Sequence, residues 1–323
     1  MGILVNGQWQ QAPLAPNDKA GHFIRPASSF RHIITKDENS KFKAEPNRYH
    51  LYLSYACPWA CRTLIFLSLK KLENIISFSF VEPLMLENGW EFGPLGSESQ
   101  DPLNQSKYLY QIYQKADPNY TGKVTVPVLW DKHTKTIVNN ESSEIIRMLN
   151  SEFNNFTENQ YDYYPKELRK DIDEINDFIY INVNNGVYKC GFANSQTAYE
   201  EAFDSLFSAL LKLELILSRQ RYLVGVKITE ADWRLFTTLI RFDVVYFSHF
   251  KCNLKRIEDY PSLSNYLREL YQIPEIKATV NFKQIKQHYY GSQRFINPTG
   301  IVPKGPEIHL DSHRNRENFM PLT

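Results

Sequence analysis

The stretch Cys57-Pro58-Trp59-Ala60 joins an apolar strand to a helix, and it decides how the first half of the chain is interpreted. Residues 48–53, just before it, alternate and are rich in aromatic side chains, as strands are. Residues 64–72, just after it, are apolar at helical spacing, and proline is well tolerated at the first position of a helix. The sequence therefore places Cys57 at or just before a helix N-terminus.

A cysteine in that position is a candidate nucleophile. Unpaired backbone N–H groups and the positive end of the helix dipole stabilise an anion there, and a stabilised thiolate is reactive near neutral pH. The alternative is that Cys57 only packs, as most free cysteines do. The strand–Cys–Pro–helix junction favours the nucleophile.

Composition indicates a soluble, folded protein. The chain has 323 residues, which suggests two domains plus extensions, and its 42% hydrophobic content supports substantial cores. A net charge of +1 argues against nucleic acid or an anionic membrane as the main partner. The N-terminus has no secretory signal pattern and no run is long enough to span a membrane, so a cytoplasmic protein is expected.

The cysteines are too few and too scattered to form a disulfide scaffold: Cys57, Cys61, Cys190 and Cys252. Cys57 and Cys61 lack the two-residue spacer of a thioredoxin dithiol. No paired Cys or His spacing recurs elsewhere, so no metal site is predicted. Apart from Cys57, the cysteines are interpreted as packing residues.

The order of the predicted elements indicates the fold. After the Cys57 helix, a second strand is predicted at 75–81, and a βαβ opening implies parallel pairing. Strands at 124–130 and 136–138 form a hairpin, and a helix opens at Glu141. The order βαβ, then ββα, is that of the thioredoxin-like fold.

The second half has a different, helical character. Segments near 165–184, 196–219, 229–247, 261–272 and 275–288 have apolar residues three or four apart. Thr229 and Asp232 have the spacing of a capping box.

These patterns predict an α/β domain followed by an all-α domain. We expect an irregular N-terminal arm over 1–45 and a thioredoxin-like domain over 46–150, with a long polar insertion near 82–122. An all-helical domain over 165–290 and a tail over 291–323 follow.

Two further segments in the first domain could hold a ligand. A cis bond at Val126-Pro127 would turn a backbone N–H and C=O outward to pair with an extended peptide, whereas a trans edge-strand proline is the alternative. At Glu141-Ser142, a helix start can hold a carboxylate and Glu141 can hold an ammonium group; simple N-capping by Ser or Asn is the alternative. Together with a thiolate, these groups describe a glutathione pocket.

The same motifs carry a family resemblance that covers nearly the whole chain. Cys57-Pro58-Trp59-Ala60, Thr125-Val126-Pro127-Val128-Leu129-Trp130-Asp131 and Asn139-Asn140-Glu141-Ser142 resemble the glutathione transferases that use cysteine. The segments Asn184-Asn185-Gly186-Val187-Tyr188 and His288-Tyr289-Tyr290 resemble, more narrowly, the xi class, the glutathionyl-hydroquinone reductases.

The resemblance implies roles for individual residues. Cys57 is the implied nucleophile, Trp90 flanks glutathione, and the peptide is held by Val126, Glu141 and Ser142. Tyr188 and Tyr289 line the pocket of the second substrate and are candidate proton donors. Many members have arginine at the position of Lys123, and lysine keeps the positive charge but loses the bidentate geometry.

Simpler interpretations remain for some of these residues. Trp90 could be an aromatic packed for structure, and Tyr188 and Tyr289 belong to a chain with 20 tyrosines.

The implied activity is removal of glutathione from glutathionyl-hydroquinones, with glutathione as co-substrate and no tightly bound cofactor. A homodimer through the helical domains is also implied. The alternatives are an omega-like thioltransferase or dehydroascorbate reductase that uses the same Cys57, and a non-catalytic binding protein with the transferase fold.

Overall fold

The computed structural model describes residues 2–12, 16–316 and 319. Contacts divide the chain into two compact units. The first unit comprises residues 26–161 and 279–292, together with the described residues among 1–14. The second unit comprises residues 162–278, together with the described residues among 15–25 and 293–323.

A four-stranded sheet forms the centre of the first unit. Its strands are β3 (Tyr49–Leu53), β4 (Ser77–Phe80), β8 (Val128–Asp131) and β9 (Thr136–Asn139), in the order β4-β3-β8-β9. β3 pairs parallel with β4 and antiparallel with β8, and β8 pairs antiparallel with β9. This topology, with α1 (Pro58–Leu69) between β3 and β4, is the predicted thioredoxin-like arrangement.

Two helices of this unit pack against each other, α1 and α3 (Ser142–Ser151), while α2 (Leu109–Ala116) contacts β9. Because side chains alternate along a strand, Leu51 and Leu129 lie on one face of the sheet, and His50 and Trp130 lie on the other. The first unit is completed by α11 (Phe282–Ser292).

The N-terminal segment is more regular than expected. β1 (Gly2–Val5) and β2 (Gln8–Gln11) form a hairpin, and β1 also pairs with β7 (Gly122–Lys123). The expectation of an irregular arm is therefore wrong here: a two-residue Asn6-Gly7 turn, with positive φ at both residues, joins β1 to β2, and the distant β7 adds a second partner for β1.

The segment 82–122 also contains regular structure. It includes α2, β7 and a short hairpin of β5 (Met85–Leu86) and β6 (Gly89–Trp90).

The second unit is helical. Its α-helices are α4 (Arg169–Ile179), α5 (Gly186–Phe192), α6 (Gln196–Leu217), α7 (Glu230–Arg241), α8 (Phe247–His249), α9 (Pro261–Tyr271) and α10 (Pro274–Lys277). Two π-helical turns, Tyr180–Asn184 and Phe242–Tyr246, extend α4 and α7 to the ends that the periodicity predicts. The Thr229–Asp232 capping box is confirmed at the start of α7.

The unit boundaries differ from the sequence-based ones in one respect that concerns the site. The predicted helical domain ends at residue 290 and so includes Tyr289, whereas α11 groups by contacts with the first unit. The apolar spacing of residues 275–288 predicts a helix, but it does not encode which core that helix packs against.

Candidate active site

Cys57 lies at the N-cap of α1, as predicted. Its backbone is extended, Pro58 follows at the first helical position, and the thiol makes no capping hydrogen bond. Cys57 is partly exposed, whereas Cys61, Cys190 and Cys252 are buried, which agrees with their interpretation as packing residues. Burial raises the pKa of the Cys252 thiol well above its ordinary value. Exposure and helix-end position thus distinguish Cys57 from the other three.

The Cys57 thiol contacts the second predicted segment. Its Sγ lies 3.5 Å from the carbonyl oxygen of Val126, and the Val126–Pro127 peptide bond is cis, as one of the two alternatives predicted. Val126 is buried and directly precedes the central strand β8. The fold therefore brings the candidate nucleophile to the backbone segment proposed to hold a peptide.

Glu141 is itself the N-cap of α3, rather than a neighbouring Ser or Asn. Its Oε1 accepts a hydrogen bond from the Ser143 N–H at 3.0 Å, and its Oε2 accepts one from the Ser28 hydroxyl at 3.0 Å. Ser142 is buried, and its Oγ accepts from Nη1 of Arg62 at 3.5 Å. Arg62, a buried arginine on α1, had no signal in the sequence because it reads as an ordinary helix-surface cation.

Tyr113, on α2, joins two of these segments. Its hydroxyl donates to the Thr125 carbonyl at 2.8 Å and accepts from the Thr125 N–H at 3.2 Å and from Asn140 Nδ2 at 3.1 Å. Thr125 precedes Val126, and Asn140 precedes Glu141. Burial raises the pKa of Tyr113 to about 12, so its hydroxyl is protonated at neutral pH. The sequence carries no signal for Tyr113, since it is one of several tyrosines in the polar insertion.

Lys123 lies in β7, paired with Ile3 of β1. Its side chain is half-buried, and this burial lowers its pKa from the ordinary value. Its carbonyl accepts from the Tyr120 hydroxyl at 3.0 Å. Contact between Lys123 and a ligand stays a prediction.

Trp90 and Tyr289 both belong to the first unit. Trp90 is 6% exposed and stacks on His288, with 4.7 Å between ring centres. His288 immediately precedes Tyr289 on α11, and Nδ1 of His288 lies 3.0 Å from the Pro83 carbonyl. Trp90 is thus packed, as the simpler interpretation has it, but a packed ring can also form the wall of a pocket.

Tyr188 belongs to α5 in the second unit. Its ring lies among Phe192, Tyr246 and Phe250, at centre-to-centre distances of 5.6, 6.0 and 5.4 Å. The Arg25 guanidinium lies over its face. An aromatic cluster of this kind suits either a core or a pocket for an aromatic ring. Arg25 had no signal in the sequence, because it lies in the segment expected to be irregular.

Neither a metal-ligand cluster nor a membrane-spanning helix is found in the described part of the chain. Among those residues there is no group of three or more His, Cys, Asp or Glu that could hold a metal ion. None of the described helices combines the length and apolar character needed to cross a membrane.

Comparison with known proteins identifies the family of both halves. Residues 56–152 match the model of the glutathione S-transferase N-terminal domain, and residues 196–269 match that of the C-terminal domain. Glutathionyl-hydroquinone reductase YqjG of Escherichia coli (strain K12) is 52% identical over 324 residues, covering 98% of this chain and 99% of that protein. Glutathionyl-hydroquinone reductase PcpF of Sphingobium chlorophenolicum is 51% identical, covering 95% of this chain and 96% of that protein.

Solved structures agree with this result. The glutathione-bound structure of Escherichia coli YqjG has a TM-score of 0.89 at 50% identity, covering 98% of this chain and 99% of that one. The xi-class transferase of Natrialba magadii has a TM-score of 0.91 at 43% identity, covering 98% and 96%. The chain therefore belongs to the glutathione S-transferase family, within the xi class of the glutathionyl-hydroquinone reductases.

Proposed function

We propose that this enzyme removes glutathione from glutathionyl-hydroquinones through a mixed disulfide on Cys57. The observation that carries the proposal is the 3.5 Å contact between Cys57 Sγ and the Val126 carbonyl. Glutathione that pairs its backbone with Val126 would present its sulfur close to this thiol. The names of the relatives YqjG and PcpF support the same reaction.

The first step is attack of the Cys57 thiolate on the sulfur that joins glutathione to the aromatic ring. A Cys57–glutathione disulfide forms, the carbon–sulfur bond breaks with its electron pair on the ring carbon, and that carbon takes up a proton to give the hydroquinone. A phenol is a suitable donor of this proton, and Tyr188 and Tyr289 are the proposed donors.

The second step regenerates the thiol. The thiolate of a second glutathione attacks the glutathione sulfur of the mixed disulfide, which yields oxidised glutathione and releases the Cys57 thiolate. The two electrons gained by the ring carbon thus come from the thiols of Cys57 and, finally, of free glutathione.

Glutathione is proposed to be anchored by residues of the first unit. Glu141 provides the negative charge for the γ-glutamyl ammonium group, Ser142 lies at the start of α3 where backbone N–H groups favour a carboxylate, and Trp90 provides an aromatic wall. Lys123 is proposed to add a positive charge for a second carboxylate.

The rival function is a thioltransferase or dehydroascorbate reductase that uses the same thiol. The decisive experiment compares glutathionyl-menadiol with hydroxyethyl disulfide as substrates of the purified protein. We expect turnover of the first substrate to dominate, and intact-mass measurement without free glutathione should find one glutathionyl group on the protein.

Cys57→Ser should abolish both the adduct and turnover, while Cys61→Ser, which alters a buried cysteine one helical turn away, should retain them. Faster turnover of hydroxyethyl disulfide than of glutathionyl-menadiol would establish the thioltransferase or dehydroascorbate reductase function. An active Cys57→Ser protein would exclude the mixed-disulfide mechanism.

A homodimer through the helical units is also proposed, by analogy with the family. Light scattering at micromolar concentration measures this directly, and a mass of 37.9 kDa, that of one chain, would exclude it.

A further inference from the structure

A second cleft lies in the first unit, and none of the proposed catalytic or glutathione-binding residues lines it. Its volume is about 490 Å³, and its lining residues are Leu103, Asn104, Lys115, Trp130, Lys132 and Lys135. We refer to it as the lysine cleft. It opens on the side of the sheet where Trp130 lies beside His50.

The charge of the lysine cleft is positive throughout. Three of its lining residues are lysines and none is acidic. Within the described residues, Lys115, Lys132 and Lys135 form no ion pair with a carboxylate; the hydrogen bond of Lys132 is a long one, 3.5 Å to the Ser77 hydroxyl. Three lysines that line one cleft, with no carboxylate among the lining residues, create a local positive potential.

Lys132 is partly withdrawn from water. Burial lowers its pKa, and no carboxylate offsets that effect. Its charge also helps to lower the pKa of His50 beneath it. An anion in the cleft would restore the favourable interaction that the Lys132 ammonium loses by burial.

The wall of the cleft adds a hydrogen-bond donor. The Trp130 side chain is 2% exposed. Its indole N–H makes no hydrogen bond within the described residues and is not one of the buried polar atoms without a partner, so it is open to solvent. A donor of this kind beside three ammonium groups points to an acceptor-rich, negatively charged ligand.

The acidic side chain of the loop that lines the cleft is already hydrogen-bonded. Asp101 is buried, and its oxygens accept hydrogen bonds from the Tyr52 hydroxyl at 3.0 Å and from the N–H groups of Leu103, Asn104 and Ser106 at 3.1, 3.1 and 2.9 Å. Asp101 therefore shapes the loop that supplies Leu103 and Asn104 and leaves the lysines available.

We propose that the lysine cleft binds a phosphate group with two or more negative charges, either as inorganic pyrophosphate or at the end of a small organic molecule. One carboxylate would match only one of the three lysines, whereas a multivalent phosphate offers several acceptor oxygens to all of them and to the indole N–H. The volume leaves room for an organic body against Leu103.

The test uses the full-length protein labelled with 5-fluorotryptophan and saturated with glutathione, so that the Cys57 site is occupied. The chain has five tryptophans, and the fluorine signal of Trp130 is assigned with Trp130→Phe. Titration with inorganic pyrophosphate at constant ionic strength should shift the Trp130 signal in a saturable manner. A second titration uses adenosine diphosphate as the organic phosphate. Tighter binding of pyrophosphate would identify an inorganic ligand, and tighter binding of adenosine diphosphate would identify a phosphate carried by an organic molecule.

Variants locate the binding groups. Lys132→Gln should weaken pyrophosphate binding by about tenfold or more, the usual effect of losing a charge-assisted hydrogen bond, and the Lys115→Gln/Lys135→Gln double variant should act likewise. Lys36→Gln changes an exposed lysine of the same unit outside the cleft and should leave binding unchanged. Absence of saturation, equal shifts with acetate, or undiminished affinity of Lys132→Gln would each overturn the proposal.

Discussion

The guanidinium carbon of Arg25 lies 4.7 Å from the centre of the Tyr188 ring, over its face. Nε of Arg25 also donates to Asn185 Oδ1 at 2.6 Å, which orients the guanidinium plane. A cation over an aromatic ring stabilises negative charge that develops on it. If Tyr188 donates the proton to the hydroquinone carbon, Arg25 is a positioning residue that favours this transfer.

We therefore predict that Tyr188→Phe lowers turnover of glutathionyl-hydroquinones by about 10²–10⁴-fold, the usual contribution of a general acid. Turnover of small disulfides should hardly change, because a thiolate leaves without proton donation. Tyr289→Phe tests the second candidate proton donor in the same way. Equal losses on both substrates would assign the hydroxyl to glutathione binding or structure.

Arg25→Gln should lower kcat for the hydroquinone substrate by about 2–30-fold, which corresponds to a cation–π contribution of ~0.5–2 kcal/mol. In the Tyr188→Phe background the same substitution should have a much smaller effect, because the group that it supports is gone. Additive losses in the double variant would contradict a role through Tyr188.

Tyr113 offers a test of how the glutathione site is held together. Tyr113→Phe leaves the Thr125 carbonyl and the buried Asn140 amide without their shared partner, a loss of about 1–3 kcal/mol. We expect a raised KM for glutathione and an unchanged rate of Cys57 alkylation.

The matched control for this loss is Tyr49→Phe. Its hydroxyl donates to the Lys43 carbonyl at 2.6 Å, away from these segments. Tyr49→Phe should lower the free energy of unfolding in urea without affecting the KM for glutathione. Equal KM values for glutathione in the Tyr49→Phe and Tyr113→Phe variants would show that Tyr113 is merely a core residue.

Glu141 has two separable tasks, because its carboxylate caps α3 and is proposed to hold the glutathione ammonium. Glu141→Gln keeps an oxygen acceptor for the Ser143 N–H but removes the charge. We predict nearly unchanged stability and glutathione affinity lower by about 1.5–3 kcal/mol, measured by calorimetry. Glu141→Ala should lower both the stability of the protein and its affinity for glutathione. Unchanged affinity in Glu141→Gln would place the ammonium elsewhere.

His50 should make the protein sensitive to acid. It is fully buried, with its ring nitrogens 2.8 and 2.9 Å from the Ser77 and Ser79 hydroxyls, and burial lowers its pKa to about 3. An unfolded histidine has a pKa of about 6.5, so between these values the unfolded chain binds more protons and stability falls as pH drops. The slope from His50 is at most about 1.4 kcal/mol per pH unit.

His50→Gln keeps a neutral polar side chain at this position and should flatten the dependence between pH 6.5 and 4 in denaturant unfolding. Burial also lowers the pKa of His249, to about 4, so a residual dependence of stability on pH should remain. His133→Gln, which changes an exposed histidine, is the control. Parallel stability curves for His50→Gln and the unsubstituted protein would contradict the prediction.

The sequence determined the local features of this protein. The Cys57-Pro58 junction, the hairpin before Glu141 and the Thr229 capping box depend on neighbours a few residues apart, and the structure confirms each of them. Helix periodicity likewise predicts α4, α6, α7 and α9, because one apolar stripe suffices to specify an amphipathic helix.

Tertiary structure alone decided the long-range partners. β1 pairs locally with β2, but its second partner, β7, lies 118 residues later along the chain at the Leu4–Gly122 position. Tyr113, Arg62 and Arg25 gain their contacts with Thr125, Ser142 and Tyr188 only after the fold brings distant segments together. A sequence pattern records how a residue relates to its near neighbours, whereas hydrogen bonds and packing over long separations depend on the whole folded chain.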